Sequence, residues 1–203
     1  MNIFCIEQNY FTHTREQRNE IHGEPVIFAK PQSALLQPGT PFYYPGFANE
    51  LYCGCELILR ISKNGKNIKE KLNSNYYDSI SVGINFTALD NRGELNEEES
   101  GWEKAKAWNN SSVAGMWIPA TNFKDKKDIN FCLYKNRELM QLGNSGLMVN
   151  NFDTIISSIS KSFPVNIGDL IFTGSPAGIS KLEAGDKLEA FIEDDSLLEF
   201  DVE

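Results

Sequence analysis

Asn166-Ile167-Gly168-Asp169-Leu170-Ile171-Phe172-Thr173-Gly174-Ser175-Pro176-Ala177-Gly178, followed by Ala184-Gly185-Asp186, is the stretch on which the fold turns. Gly-Asp pairs flank a short apolar strand that runs directly into a loop punctuated by glycine and proline. Gly174 and Gly178 permit positive φ or close backbone approach, and Pro176 fixes its own φ. A rigid loop at a strand end suits a binding pocket, and local grammar alone equally allows a tight connection between strands.

Working outward, most of the chain reads as strand. Residues 1–6, 25–30, 50–62, 76–89, 113–118 and 129–134 are apolar or β-branched runs, and three further strands centre near Leu170, Leu188 and Leu198. In 50–62, Cys55, Leu57, Leu59 and Ile61 fall on one face, and Asn64-Gly65 reads as a hairpin-type turn. Lys135-Asn136-Arg137 turns the chain into 139–142. Residues 36–49 are loop-like, with Pro38, Gly39, Pro41, Pro45 and Gly46. Helical spacing appears in 151–162, through Phe152, Ile155, Ile156 and Ile159, and a short polar helix is expected within 9–20. Many strands and few helices make a β-rich α+β fold.

The chain has 203 residues, enough for a single domain that buries roughly 70% of its unfolded surface. A net charge of −9 argues against nucleic acid and against anionic membranes as partners. Glu7 and Gln8 end the first apolar run before it reaches the length of an export signal, and no stretch has the length of a membrane span. Cys5, Cys53, Cys55 and Cys132 match no zinc spacing and read as buried small hydrophobes. Together these features point to the reducing cytoplasm.

Ordered pieces of sequence across nearly the whole chain carry a resemblance. They are Asn9-Tyr10-x-x-His13-x-x-Glu16, Phe28-Ala29-Lys30-Pro31-x-Ser33, Glu56-Leu57, Asn85-Phe86-Thr87-Ala88-Leu89-Asp90, Ala105-Lys106-Ala107-Trp108, Gln141-Leu142-Gly143-Asn144-Ser145-Gly146-Leu147-Met148, and the opening phrase with Thr173-Gly174-Ser175-Pro176. In this order they resemble the fumarylacetoacetate hydrolase family, in its acylpyruvase and 2-hydroxyhepta-2,4-diene-1,7-dioate isomerase-like branch. The resemblance implies a mixed β-sandwich roll in one catalytic domain, with residues 9–20 as a short lid segment. It also implies a homodimer. The implied chemistry is hydrolysis, isomerisation or decarboxylation of a small 2-oxo or β-diketo acid through a stabilised enolate.

The same resemblance implies a Mg²⁺ or Mn²⁺ ion held by two glutamates and an aspartate, acting as a Lewis acid. Here the chain departs from the pattern. The first ligand position is Gly54, the second is an intact Glu56, and the third is Asn85, whose amide oxygen can ligate but carries no charge. Ligands at i and i+2 of a strand face one side, so the loss is local to one site. Each missing charge is worth about 4 kcal/mol at ~4 Å for a unit charge, and more for a divalent ion. The ion is therefore expected to be weakly held or absent, and Gly54→Glu with Asn85→Asp is expected to raise Mn²⁺ affinity about tenfold or more. Leu89 replaces an arginine expected to face substrate, and Arg92 is the candidate to restore that charge.

By resemblance, His13 and Glu16 are the proton-transfer pair and Lys106 the lysine beside developing negative charge. Lys30, Gln141, Thr173, Gly174 and Ser175 are the expected substrate contacts. Without the resemblance, His13 and Glu16 read as an exposed polar helix, Lys106 as a surface lysine, Lys30 as a loop anchor and Gln141 as a hairpin pair. The intact His13, Glu16 and Lys106 favour a catalyst. Gly54, Asn85 and Leu89 favour the alternative, a non-catalytic family member (a pseudoenzyme) that binds a ligand or assists assembly.

Overall fold

In the computed structural model, residues 1–10, 24–89 and 102–203 are described. The expected helix within 9–20, His13, Glu16 and Arg92 lie outside these residues, apart from Asn9 and Tyr10 at its start. Tyr10 makes an isolated bridge to Met148.

The centre of the molecule is an antiparallel pair of long strands, β3 (Glu50–Ile61) and β4 (Tyr77–Leu89). Both are buried on the two faces, which is why their sequences are dense in apolar residues and not simply alternating. Around them lie β1 (Ile3–Glu7), β2 (Val26–Lys30), β5 (Ser112–Ala114), β6 (Ile118–Pro119), β9 (Leu170–Phe172) and β10 (Ser180–Leu182). The first sheet runs β2-β1-β9-β3-β4-β5, with β10 added on β3 and β6 on β4. The second sheet, in the order β12-β11-β7-β8, is built from β7 (Asn130–Lys135), β8 (Glu138–Asn144), β11 (Lys187–Ile192) and β12 (Asp195–Asp201). The fold is the expected β-rich mixed-sheet α+β class.

The main core lies between the sheets, where Leu57, Leu59, Ile84 and Phe86 meet Phe131, Leu133 and Leu188. A smaller cluster of Ile3, Cys5, Ile58 and Phe172 packs on the opposite face of the first sheet. A short helix α1 (Trp102–Lys106) delivers Lys106, and α2 (Phe152–Ser162) buries Phe152, Ile155, Ile156 and Ile159 as its spacing required. Asn151 caps α2 by accepting from the Thr154 N–H at 3.0 Å. None of the helices among the described residues is long and apolar enough to cross a membrane.

Some local expectations are corrected. Asn64-Gly65 does not close a hairpin: β3 and β4 are joined through a longer connection that includes a 3-10 turn, and Gly65 bridges to Val165. The run 113–118 is two strands, because Gly115 donates to Val82 while Met116 donates to Leu197 of the second sheet, pulling the backbone off the β4 ladder. The strand β10 was not read in the sequence. By contrast, Asn136 and Arg137 at φ 54° and 70° form the tight turn expected between β7 and β8.

The Gly-Asp phrases lock the C-terminal strands in place. The Asp169 carboxylate accepts from the backbone N–H of Asn2 at 2.6 Å and of Asn166 at 2.8 Å. This ties the chain's start to β9 and sets β1 parallel to it, with Cys5 opposite Phe172. Asp186 accepts from the Glu183 N–H at 2.8 Å and from Asn136 at 2.7 Å.

Candidate active site

The parallel pairing of β1 with β9 brings the residues after Cys5 against the loop after Phe172. A cavity of ≈ 580 Å³ opens there, walled by the end of β1, by β3 and β4, by Lys106 and by the loop 175–179. Gly54, Glu56 and Asn85 all line it: Gly54 and Glu56 share a strand face by their spacing, and Asn85 comes from the neighbouring strand. Gly54 pairs directly with Asn85 across the β3–β4 ladder, and Glu56 lies two residues further along β3.

Glu56 is the buried acid of the site. Its Oε1 accepts from Asn85 Nδ2 at 2.9 Å and its Oε2 from the Gly174 backbone N–H at 2.7 Å. Burial pushes its carboxyl pKa up to about 7, against the opposing pull of the Asn85 and Gly174 hydrogen bonds. Gly174 reaches the carboxylate because it adopts φ +97°, and a Cβ there would meet Asn9 Cβ at 2.8 Å.

Lys30 is buried behind this group. Its ammonium donates to Asn85 Oδ1 at 2.7 Å, to the Ser111 carbonyl at 2.8 Å, and to the Ser112 and Ser111 hydroxyls at 3.0 and 3.2 Å. Burial lowers its pKa to about 8. Lys30, expected as a substrate contact or a loop anchor, is buried behind the cavity lining, where it holds Asn85 and the Ser111-Ser112 segment.

Lys106 lines the cavity, where it donates to Glu7 Oε1 at 2.6 Å. Glu7 was missed by sequence reading, since it ends an apolar strand two residues before the Asn9-Tyr10 motif and belongs to no motif itself. Its place in the site follows only from the β1–β9 pairing. Tyr10 also lines the cavity, and its hydroxyl is buried without a hydrogen-bond partner among the described residues.

The remaining expected contacts divide. Ser175 lines the cavity, while the buried Thr173 hydroxyl turns inward to the Leu57 carbonyl at 2.9 Å. Gln141 is buried and structural: its Oε1 accepts from Cys55 N at 2.8 Å, and its Nε2 donates to Ser175 Oγ and the Pro176 carbonyl, each at 3.0 Å. It staples the loop to β3. On β4 the cavity wall includes Thr87 but not Leu89, so the replaced arginine position does not border the described cavity.

A divalent cation fits these residues poorly. Glu56 is the one carboxylate among the three expected ligand positions, and Asn85 turns its nitrogen, not its oxygen, toward Glu56. The Asn85 amide oxygen, expected to be able to ligate, accepts from Lys30 Nζ at 2.7 Å. A Cβ on Gly54 would meet Ser175 Oγ at 2.7 Å and Ser175 Cβ at 2.9 Å, so Ser175 occupies the space that a ligand at that position needs. Among the described residues no group of three or more His, Cys, Asp or Glu is placed to hold a metal.

Comparison with known proteins agrees with this architecture. The family model for the fumarylacetoacetate (FAA) hydrolase C-terminal region matches residues 2–203. Oxaloacetate tautomerase FAHD1 of Mus musculus is 31% identical over 192 residues, covering 95% of this chain and 87% of that protein. Oxaloacetate tautomerase YcgM of Escherichia coli (strain K12) is 30% identical over 196 residues, covering 96% and 90%. The crystal structure of fumarylpyruvate hydrolase from Pseudomonas aeruginosa in complex with Mn²⁺ and pyruvate superposes with a TM-score of 0.88 at 25% identity, over 100% of this chain and 89% of that one. From end to end, then, this chain belongs to the fumarylacetoacetate hydrolase family.

Proposed function

We propose that the protein catalyses enolisation of a small 2-oxo acid, interconverting keto and enol forms in the cavity beside Glu56. One observation carries the reading: a desolvated carboxyl with a pKa near neutrality and an ammonium, Lys106, share one cavity wall. Membership of the family, and tautomerases among relatives that align over nearly the whole chain, support the reaction class.

In this mechanism ionised Glu56 takes a proton from the carbon next to the ketone. The C–H electron pair becomes the new C=C bond, and the carbonyl oxygen takes up the negative charge. The Lys106 ammonium and an Asn85 N–H stabilise that charge, and the proton then passes from Glu56 to the oxygen. Tyr10 offers a further donor. Lys106 must exchange Glu7 for the substrate oxygen, so Glu7 holds the ammonium in place until substrate arrives. His13 and Glu16 keep their proposed part as a water-activating pair for carbon–carbon hydrolysis.

The non-catalytic alternative draws no support from relatives that bear enzyme names. Cytoplasmic residence is part of the proposal, supported by four free thiols, Cys5, Cys53, Cys55 and Cys132. So is a homodimer, supported by an apolar cleft of ≈ 760 Å³ bordered by Leu35, Val113, Trp117, Leu197 and the exposed Met116.

The test is the approach of oxaloacetate to keto–enol equilibrium, followed by ultraviolet absorbance. Wild type is expected to accelerate it. Glu56→Gln is expected to lower kcat by about 10²–10⁴-fold, and Lys106→Met to lower it as well. Equal rates in wild type and Glu56→Gln would refute the assignment of the base.

A further inference from the structure

We infer that this pocket works without a divalent cation, and that Lys30 is the positioning residue that makes it so, by fixing which end of the Asn85 amide meets Glu56. An ammonium has three N–H donors and no lone pair, so any group facing it must accept. Lys30 is buried and spends its donors on Asn85 Oδ1, the Ser111 carbonyl and the Ser111 and Ser112 hydroxyls. Asn85 has a single acceptor end, and Lys30 takes it at 2.7 Å. The amide nitrogen is left facing Glu56 Oε1 at 2.9 Å.

Flipping the amide would set N–H against ammonium and oxygen against carboxylate, replacing two attractions with two repulsions. Asn85 is thus held as a donor toward the cavity, and a nitrogen bearing two hydrogens cannot ligate a metal. An aspartate here would keep one oxygen on Lys30 and turn the other to the pocket.

Two further contacts shape the same site. The Gly174 N–H donates to Glu56 Oε2 at 2.7 Å. Ser175, held by Gln141 Nε2 at 3.0 Å, fills the space over Gly54. The counter-charge for Glu56 therefore comes from the protein: Lys30 reaches it through the amide in an unbroken chain of Nζ–H···O=C–N–H···Oε1. The amide retains a second N–H. The inference rests on the enolisation reading for its consequence, that the substrate oxygens are gripped by N–H donors and the Lys106 ammonium.

The experiment is electron paramagnetic resonance of Mn²⁺ added to chelator-dialysed full-length protein, with and without oxalate, for wild type and Asn85→Asp. Wild type is expected to bind no Mn²⁺ up to about 1 mM, and Asn85→Asp to bind it at least about tenfold more tightly. Wild-type binding below that concentration, or an Asn85→Asp affinity no better than wild type, would overturn the inference. Oxaloacetate enolisation that survives chelator supports it, and a rate lost to chelator and restored by Mn²⁺ overturns it. Absence of turnover with any oxo acid would defeat the enolisation reading, and the Mn²⁺ signal would still decide this one.

Discussion

Glu56 shows how one residue's surroundings set both stability and chemistry. Its carboxyl pKa lies at about 7 in the folded protein against an ordinary 4.5, because burial removes water from the charged form. Between those values the native state keeps a proton that the unfolded chain has released. Stability from this group is therefore full below the lower value and is lost as pH rises to the upper one, by on the order of 3 kcal/mol. Urea unfolding of wild type and Glu56→Gln at both ends of that window should show this loss in wild type only. The same titration governs the proposed base, so kcat/KM for enolisation should climb as pH rises toward about 7 and level off beyond it. Strand periodicity puts positions 54 and 56 on one face, the family resemblance adds Asn85 to them, and to that extent the site was legible in the sequence. The orientation of the Asn85 amide was not, since it depends on Lys30 from another strand. For the same reason Gly54→Glu is now expected to add little Mn²⁺ affinity: its side chain would have to displace Ser175.

At the scale of elements, the site depends on two clamps. Gln141, on β8 of the second sheet, bonds to β3 and to the loop after β9, both in the first sheet. Gln141→Ala would leave the buried Cys55 N–H unsatisfied and free the Ser175 loop. A loss of about 2–4 kcal/mol in urea unfolding is expected, with faster amide exchange at 174–176. The other clamp, Asp169, ties the chain's start to β9. Asp169→Ala should cost about 2–3 kcal/mol and should also weaken substrate binding, since β1 carries Glu7 into the cavity. Thermal unfolding and KM for oxaloacetate, measured together, check both parts. Sequence grammar marked Gly168-Asp169 as a turn. It did not reveal that the carboxylate reaches back to Asn2 across the sheet.

On the scale of the whole molecule, two sheets enclose the main core, and the candidate cavity lies against β3 and β4 of the first sheet, beside the loop stapled to the second. The proposed homodimer predicts twice the chain mass by light scattering, and Met116→Asp in the apolar cleft should shift the protein toward monomer. The sequence by itself determined the β-rich class, the family and nearly all the strands, because apolar period, turn chemistry and ordered motifs are local properties of a chain. It also put Gly54 and Asn85 where the family resemblance implies two of three carboxylates, once the ordered motifs had set the alignment. Only the tertiary structure decided that Glu7 joins Lys106, that Thr173 and Gln141 are spent on the scaffold, and that Asn85 offers a nitrogen. Those outcomes hang on hydrogen-bond directions between segments remote in sequence, and no pattern along one strand encodes which end of an amide its neighbours will demand.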